Sequence, residues 1–340
     1  VVEAIRDQAE KLIHLSNLYF SEFQGPLAKR LAEMSGLQRT FFANSGAETV
    51  EGAIKMIRSH GRKRSPVRTG ILTLENSFHG RTIGAISLTG QPKYRKDFEH
   101  LLEGPVYIPP NDIAAKGDAF AEGNLAGVML ECVQGEGGVY PLDEAFVRRA
   151  RELCDEHDAL LVFDEIQCGL GRTGKYFHYL WYCPAVLPDV VVTAKPLGAG
   201  LPIGAIIANE KAAATIAPGM HGSTFGGGAL ACRVALEFVN ILEDLLPHIN
   251  TTGGYFQSRL EELARKHSLI KAVRVMGLMI GVELTVPGKQ MVLDAMAEGL
   301  LINCTHEVVL RFLPPYILSR KDVDRAIEVL DRVLQKHSQA

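Results

Sequence analysis

The stretch Ala159-Leu-Leu-Val-Phe163 is followed at once by Asp164-Glu-Ile-Gln167. A continuous apolar run of strand length is typical of a strand buried on both faces, as in a parallel sheet. Comparable runs recur between helical or loop segments, at 39–43, 69–74, 126–133, 189–193 and 203–208. This alternation predicts βαβ units, and therefore an α/β fold with a largely parallel sheet.

The pattern changes after about residue 245. A helical stretch precedes two pairs of short strands with a helix between them, and a final helix begins at about residue 320. Ser319 and Asp322 match the capping box of that last helix. We therefore predict a large domain at 39–245, a small C-terminal α+β domain at 246–340, and an N-terminal segment of helix and linker at 1–38.

Composition argues against several classes of protein. The chain has 340 residues, of which 47% are hydrophobic and 22% charged, and this composition is typical of a globular protein. The net charge of −3 argues against a nucleic-acid partner. Neither a secretory stretch nor a membrane-spanning apolar run is predicted, and the cysteines form no Cys-x-x-Cys pair, so we expect a cytoplasmic protein without a zinc site.

Ligands of open α/β sheets bind beyond the carboxyl ends of the strands, so the residues after each apolar run are candidate site residues. They are the turn Asn44-Ser45-Gly46-Ala47, the acidic pair Asp164 and Glu165, Lys195, and the loop from His221 to Gly228. A helix start can bind phosphate, a buried carboxylate needs a partner, and apolar surroundings favour a neutral, nucleophilic lysine. Each segment also has a structural interpretation, as an N-cap turn, a capped strand end, a surface lysine or a tight loop.

In combination these groups match the needs of pyridoxal phosphate, which are a lysine for its aldehyde, an acid facing its ring nitrogen, donors for its phosphate and an aromatic ring over its own. Phe78 is the candidate aromatic residue. The segment Gly169-Leu-Gly171-Arg-Thr-Gly174 offers an alternative of another class, a nicotinamide-dependent oxidoreductase. It begins late after Phe163, and the acidic residue beyond it, Asp189, lies 15 positions after Gly174 rather than about 20, which argues against a dinucleotide site.

Ordered motifs along the whole chain resemble those of the class III pyridoxal-phosphate aminotransferases. They are Asn44-Ser-Gly-Ala-Glu48, Phe78-His-Gly-Arg-Thr82, Gln134-Gly-Glu-Gly-Gly138, Asp164-Glu-Ile-Gln167, Thr193-Ala-Lys195, His221-Gly-Ser-Thr-Phe225 and Leu310-Arg-Phe-Leu-Pro-Pro315. The resemblance implies fold type I, with a mostly parallel seven-stranded sheet flanked by helices and a smaller α+β domain. It also implies a homodimer.

The resemblance further implies the residues that contact the cofactor. They are Lys195 at the aldehyde, Asp164 at the ring nitrogen, Ser45, Gly46 and Ala47 at the phosphate, Thr224 of the partner subunit at the same phosphate, Phe78 and Ile166 on the ring faces, Gln167 near the phenolic oxygen, and Glu165 beside them. With these contacts Asp164 keeps the ring nitrogen protonated, and the Lys195 amine moves the proton.

Arginines are the expected substrate clamps, because their planar fork binds carboxylates bidentately. The resemblance implies that Arg81, with Ser223 of the partner subunit, binds N-acetylornithine, and that Arg311 binds glutamate or 2-oxoglutarate. Glu136 is implied to mask Arg311, although a purely structural ion pair is an alternative. The implied reaction moves the terminal amino group of N-acetylornithine to 2-oxoglutarate by a ping-pong route in arginine biosynthesis. Ornithine, succinylornithine and 4-aminobutyrate remain alternative donors.

Three positions depart from the family pattern. Cys132 stands where proline is usual, Pro196 where glycine is common, and Gly228-Ala229 where Asn-Pro is usual. The last two lie beside the expected cofactor site and bear on loop rigidity. Alignment by motifs also predicts that an N-terminal segment of a few dozen residues, which relatives place in the small domain, is missing from segment 1–38.

Overall fold

The computed structural model describes residues 1–98, 100–182 and 186–338. These residues form two compact units. The first consists of Val1–Cys132, Leu142–Leu170 and Tyr176–Leu242, and the second of Val133–Pro141, Gly171–Lys175 and the described residues from Glu243 onward.

Strands and helices alternate through most of the chain. The strands are β1 (Arg39–Ala43), β2 (Gly70–Leu74), β3 (Pro105–Ile108), β4 (Leu125–Leu130), β5 (Val133–Gln134), β6 (Tyr140–Pro141), β7 (Leu160–Asp164), β8 (Val190–Thr193), β9 (Gly204–Ala208), β10 (Ile270–Met276), β11 (Met279–Leu284), β12 (Asn303–Thr305) and β13 (Val309–Phe312). The α-helices are α1 (Val2–Lys11), α2 (Gln24–Ser35), α3 (Gly46–Arg62), α4 (Ile83–Leu88), α5 (Ile113–Ala121), α6 (Glu144–Glu156), α7 (Glu210–Ala213), α8 (Ala229–Lys266), α9 (Lys289–Ala297) and α10 (Arg320–Ser338). Short 3-10 helices cover Pro92–Tyr94 and His178–Trp181.

The first unit is built on a seven-stranded sheet of order β1-β9-β8-β7-β4-β2-β3. Strands β3, β2, β4, β7 and β8 pair in parallel, and β9 is antiparallel to both β1 and β8. All residues of β2, β4, β7 and β8 are buried, because helices such as α3 cover the sheet. The predicted α/β fold with a mostly parallel sheet is confirmed.

The second unit contains an antiparallel sheet of order β10-β11-β13-β12. Its core joins Phe256, Ile280, Leu310 and Leu330 with other buried apolar residues. The predicted capping box is confirmed, since the Ser319 hydroxyl accepts from the Asp322 amide at 3.3 Å, and the Asp322 carboxylate accepts from the Ser319 amide at 3.0 Å.

Two short segments depart from the predicted domain ranges. Residues 133–141 and 171–175 fall inside the predicted large domain at 39–245, but they belong to the second unit. Arg274 donates to the carbonyl of Gly138 at 2.9 Å, and Arg172 donates to the carbonyls of Leu278 at 3.1 Å and Pro314 at 2.6 Å. These bonds between residues distant in sequence are the physical reason, and a local pattern does not record them.

The glycine-rich segment at 169–174 does not join a strand to an α-helix. After β7 the chain passes through turns to the 3-10 helix His178–Trp181. A Cβ atom on Gly174 would lie 2.1 Å from Asn250 Oδ1, so close packing accounts for that glycine. The geometry expected of a dinucleotide site is therefore missing from this segment. Among the described residues, no helix has the length and apolar character needed to cross a bilayer.

Strands β1, β2, β4, β7 and β8 run in the same direction, because β9 is antiparallel to both of its neighbours. Their carboxyl ends therefore lie at one edge of the sheet. The residues that follow them include Gly46, Phe78, Glu131, Gln167 and Lys195.

Asp189, which precedes β8, holds several elements of the first unit together. It is 4% exposed, and its carboxylate accepts from the Leu161 amide, from Arg151 Nη1 and from Asn209 Nδ2, each at 2.8 Å. Arg151 also binds Asp155, whose side chain is 65% exposed.

Asp189→Ala should destabilise the protein by about 3–5 kcal/mol, because the Arg151 side chain, which is only 12% exposed, loses its buried partner. Asp155→Ala is the matched control and should change the free energy of unfolding by less than about 1 kcal/mol, since its contact is exposed. Urea denaturation measures both. Equal losses in the two variants would contradict this assignment.

Candidate active site

A cavity of about 240 Å³ lies at the edge of the sheet where the strand ends meet. It is lined by Gly46, Ala47, Phe78, His79, Gly80, Arg81, Glu131, Asp164, Ile166, Gln167 and Lys195. The structure thus brings together eight predicted site residues, namely Gly46, Ala47, Phe78, Arg81, Asp164, Ile166, Gln167 and Lys195.

Asp164 ends β7 and is 4% exposed. Its Oδ2 lies 2.7 Å from His79 Nδ1, and its Oδ1 accepts from the Ile166 amide at 3.1 Å. Burial lowers the pKa of His79, but the hydrogen bond and charge of Asp164, with the charge of Glu131, raise that pKa above 6.5. Burial of the pair thus disfavours the imidazolium, and the contact with Asp164 favours it more strongly.

Helix α3 begins beside the cavity. Ser45 is its N-cap, and the Ser45 hydroxyl accepts from the Glu48 amide at 3.3 Å. The amides of Gly46 and Ala47 belong to the first turn, where N–H groups have no partner within the helix and the dipole favours an anion. A Cβ atom on Gly46 would lie 2.9 Å from Ile166 Cδ1, which explains a glycine at this position.

Phe78 and Glu131 are connected through the backbone. The Phe78 amide donates to Glu131 Oε2 at 2.9 Å, and Glu131 is 6% exposed directly after β4. A buried carboxylate thus holds the chain at the point where the Phe78 ring enters the cavity. Sequence reasoning assigned no role to Glu131 or to His79. The signal available for His79 was its place in the Phe78-His-Gly-Arg-Thr82 motif.

Lys195 lines the cavity, and the expectation that apolar residues surround it stays a prediction. The residue is exposed, whereas its neighbours Ala194 and Leu197 are 5% and 0% exposed. The chain leaves β8 with its small and apolar residues directed into the core and with the lysine side chain at the cavity.

Glu165 does not line the cavity. It is fully buried, and its carboxylate accepts from the amides of His178 and Tyr179, both at 2.9 Å. Burial raises the pKa of Glu165 to about 7, although these amides oppose the shift. Cys132, one of the departures from the family pattern, is buried against Glu165, and burial raises the pKa of its thiol well above the ordinary value.

The loop from His221 to Gly228 does not enter the cavity. The Ser223 hydroxyl accepts from Asn44 Nδ2 and from the Gly226 amide, both at 3.0 Å, while Thr224 is exposed. Ser45, Glu165, Ser223 and Thr224 are therefore the predicted site residues of the first unit that the structure does not bring to the cavity wall.

Arg311 and Glu136, both in the second unit, form an ion pair. Arg311 Nη1 lies 2.8 Å from Glu136 Oε1, and the side chains are 7% and 25% exposed. Arg311 Nε also donates to Asn303 Oδ1 at 3.2 Å, across the β12–β13 pairing. An arginine so deeply buried requires a compensating charge, and Glu136 supplies it.

Comparisons with known proteins agree with this geometry. The family model described as aminotransferase class-III matches residues 1–334. The chain is 46% identical to acetylornithine aminotransferase of Methanocaldococcus jannaschii over 336 residues, covering 98% of this chain and 84% of the relative.

Solved structures show the same relationship. Ornithine aminotransferase of Toxoplasma gondii ME49 superposes with a TM-score of 0.94 at 31% identity, covering 99% of this chain and 82% of that one. N-acetylornithine aminotransferase of Stenotrophomonas maltophilia K279a gives a TM-score of 0.86 at 34% identity, covering 99% and 86%.

The residues at the cavity fit pyridoxal phosphate. A lysine amine, a buried carboxylate, an aromatic ring and a helix start are gathered around one space, and these are the groups that this cofactor requires. The family is decided by the extent of the family match and by the identity to curated relatives. The chain belongs to the class III aminotransferases, which depend on pyridoxal phosphate.

Proposed function

We propose that this enzyme transfers the terminal amino group of N-acetylornithine to 2-oxoglutarate, forming glutamate by a ping-pong route in arginine biosynthesis. The observation that carries the proposal is the cavity, where Lys195, Asp164, Phe78 and Arg81 meet at the start of α3. The names of the curated relatives support the choice of donor.

Pyridoxal phosphate, when bound, supplies an aldehyde that reacts with amines and a ring that withdraws electrons from the substrate carbon. Asp164 would hold the proton on the ring nitrogen, and the hydrogen bond with His79 orients that carboxylate. Gly46 and Ala47 would bind the phosphate through their amides, assisted by Ser45.

The Lys195 amine would bind the cofactor aldehyde. When free, the same amine would act as the acid and base that moves a proton between the substrate carbon and the cofactor side. Phe78 and Ile166 would cover the ring faces, and Gln167 would contact the phenolic oxygen. The carboxylate of Glu165 accepts hydrogen bonds from backbone amides. Glu165 would therefore support the site through the backbone and not by touching the cofactor.

Two arginines would bind substrate carboxylates at different stages. Arg81 lines the cavity and would bind the carboxylate of N-acetylornithine, with Ser223 of the partner subunit. Arg311 would bind the α-carboxylate of glutamate or 2-oxoglutarate. Glu136 neutralises Arg311 in the ion pair and would withdraw when that carboxylate arrives.

A homodimer is part of the proposal. Leu18, Tyr19, Phe20 and Phe225 are 87%, 65%, 100% and 64% exposed, and apolar exposure of this extent marks an interaction surface. Asn17, beside them, donates to the carbonyls of Ser223 at 3.1 Å and Gly226 at 2.9 Å. A second copy on this surface would cover the apolar residues and would receive Thr224 in its own site. We propose the cytoplasm as the location.

A panel of amino donors with 2-oxoglutarate tests the substrate. We expect kcat/KM for N-acetylornithine to exceed that for ornithine by roughly tenfold or more, because the free α-ammonium of ornithine would lie beside the Arg81 guanidinium and like charges repel. Succinylornithine and 4-aminobutyrate complete the panel. A clear preference for ornithine or 4-aminobutyrate would assign the enzyme to another member of the family.

Arg311→Lys should slow the glutamate half-reaction by roughly 10–100-fold, because a lysine cannot form the bidentate contact. The N-acetylornithine half-reaction should change much less. The matched control is Arg274→Lys, which alters another arginine of the second unit, ion-paired with Glu283 at 2.6 Å. Stopped-flow absorbance of each half-reaction measures the effect, and an unimpaired glutamate half-reaction in Arg311→Lys rules out the clamp.

Mixing two defective variants tests the contribution of Thr224 to the partner's site. Lys195→Ala should lack the absorbance band of lysine-bound cofactor and all activity, and Thr224→Asp should bind phosphate poorly through charge repulsion. After subunit exchange in a 1:1 mixture, up to about a quarter of all sites should be intact, because about half of the dimers are mixed and each mixed dimer holds one unaltered site. If activity does not rise above that of Thr224→Asp alone, Thr224 does not act across the interface.

A further inference from the structure

Arg81 lines the cavity and lies against two aromatic rings. Its Cζ lies 4.5 Å from the centroid of the Tyr94 ring and 5.4 Å from that of Phe78. Within residues 1–98, 100–182 and 186–338, no acidic side chain lies at ion-pair distance from Arg81. Its guanidinium is therefore oriented chiefly by ring faces and leaves its N–H edge for a ligand.

Tyr94 is itself held in place. It ends the 3-10 helix Pro92–Tyr94 and is half-buried. Its ring meets Phe78 edge to face, with centroids 5.5 Å apart at 75°. The Tyr94 amide donates to the carbonyl of Gln91 at 3.1 Å, and the buried Gln91 side chain donates to the carbonyls of Asn76 at 3.1 Å and Ser77 at 3.3 Å. The helix is thus fastened to the turn that carries Phe78.

A guanidinium over an aromatic face gains electrostatic attraction and loses rotational freedom. An exposed arginine without such support samples many rotamers, and ordering it on binding is unfavourable. The Tyr94 ring, whose centroid lies 4.5 Å from Arg81 Cζ, therefore orders the guanidinium before the substrate binds.

We propose that Tyr94 is the positioning residue of Arg81 and thereby determines the preference for amino donors that carry a carboxylate beyond the reacting amine. This inference rests on the proposed function, in which Arg81 binds that carboxylate. Tyr94 makes no contact with the substrate in this role, and its effect passes through the orientation of the guanidinium.

The test compares two donors that differ in one group. N-acetylornithine carries the carboxylate, and N-acetylputrescine has the same amine without it. Tyr94→Leu should raise KM for N-acetylornithine about five- to tenfold with little change in kcat, and should leave kcat/KM for N-acetylputrescine unaltered. Tyr94→Phe should keep the wild-type values of KM and kcat for both donors, because the aromatic ring face is retained. Lys96→Met, an exposed cation in the same segment, is the matched control.

A binding measurement complements the kinetics. N-acetylnorvaline has the carboxylate and no terminal amine, so its affinity reports the clamp without turnover. Calorimetric titration of the holoenzyme should show its Kd rising in Tyr94→Leu by about the same factor as KM.

The outcomes separate this inference from the function on which it rests. If Tyr94→Leu impairs both donors equally, the ring serves Phe78 or the fold, and the inference is wrong. If Arg81→Ala abolishes the discrimination between donors but Tyr94→Leu leaves it intact, Arg81 binds the carboxylate as proposed, and Tyr94 is not its positioning residue. If Arg81→Ala leaves the discrimination unaltered, Arg81 does not bind the substrate carboxylate. That result would contradict both the role of Arg81 in the proposed function and the role of Tyr94.

Discussion

The buried hydrogen bond between Asp164 Oδ2 and His79 Nδ1, 2.7 Å long, connects the end of β7 to the segment that follows β2. A carboxylate in this position requires a hydrogen-bonding partner, because burial has removed its hydration. His79 also contacts the Thr73 hydroxyl through Nε2 at 3.2 Å, which orients the ring from behind. Since Phe78 and Arg81 flank His79 in sequence, the requirement to compensate Asp164 also brings an aromatic ring and a guanidinium to the cavity.

Much of the fold was predictable because its main strands are buried on both faces. The apolar run at 159–163 corresponds to Leu160–Asp164, and the run at 203–208 to Gly204–Ala208. Strand Pro105–Ile108 was not predicted, since it lies at the edge of the sheet and three of its residues are only half-buried. The run at 126–133 is in fact divided after Leu130, because β4 ends there and Val133 begins β5, which belongs to the second unit.

The candidate site was predictable where a strand end alone locates a side chain, as for Asp164 and Lys195. It was not predictable where the orientation of a side chain depends on distant partners. Glu165 adjoins Asp164, yet its carboxylate is bound to the amides of His178 and Tyr179 and does not line the cavity. Tyr94 reaches Arg81 only because Gln91 is bonded to the turn at 76–77, a contact for which the sequence carries no periodic signal.

Under the proposed function, the pairing of Glu136 with Arg311 would have a kinetic consequence. Glu136 is 25% exposed, and a partly exposed side chain changes rotamer within picoseconds to nanoseconds, whereas loops and domains move in microseconds to milliseconds. If this carboxylate uncovers the arginine by turning about its own bonds, exchanging one substrate for the other requires no slow rearrangement of the backbone. The change from binding the donor to binding the acceptor would then be at least as fast as diffusion of the substrate into the site. A different step of the reaction would limit turnover.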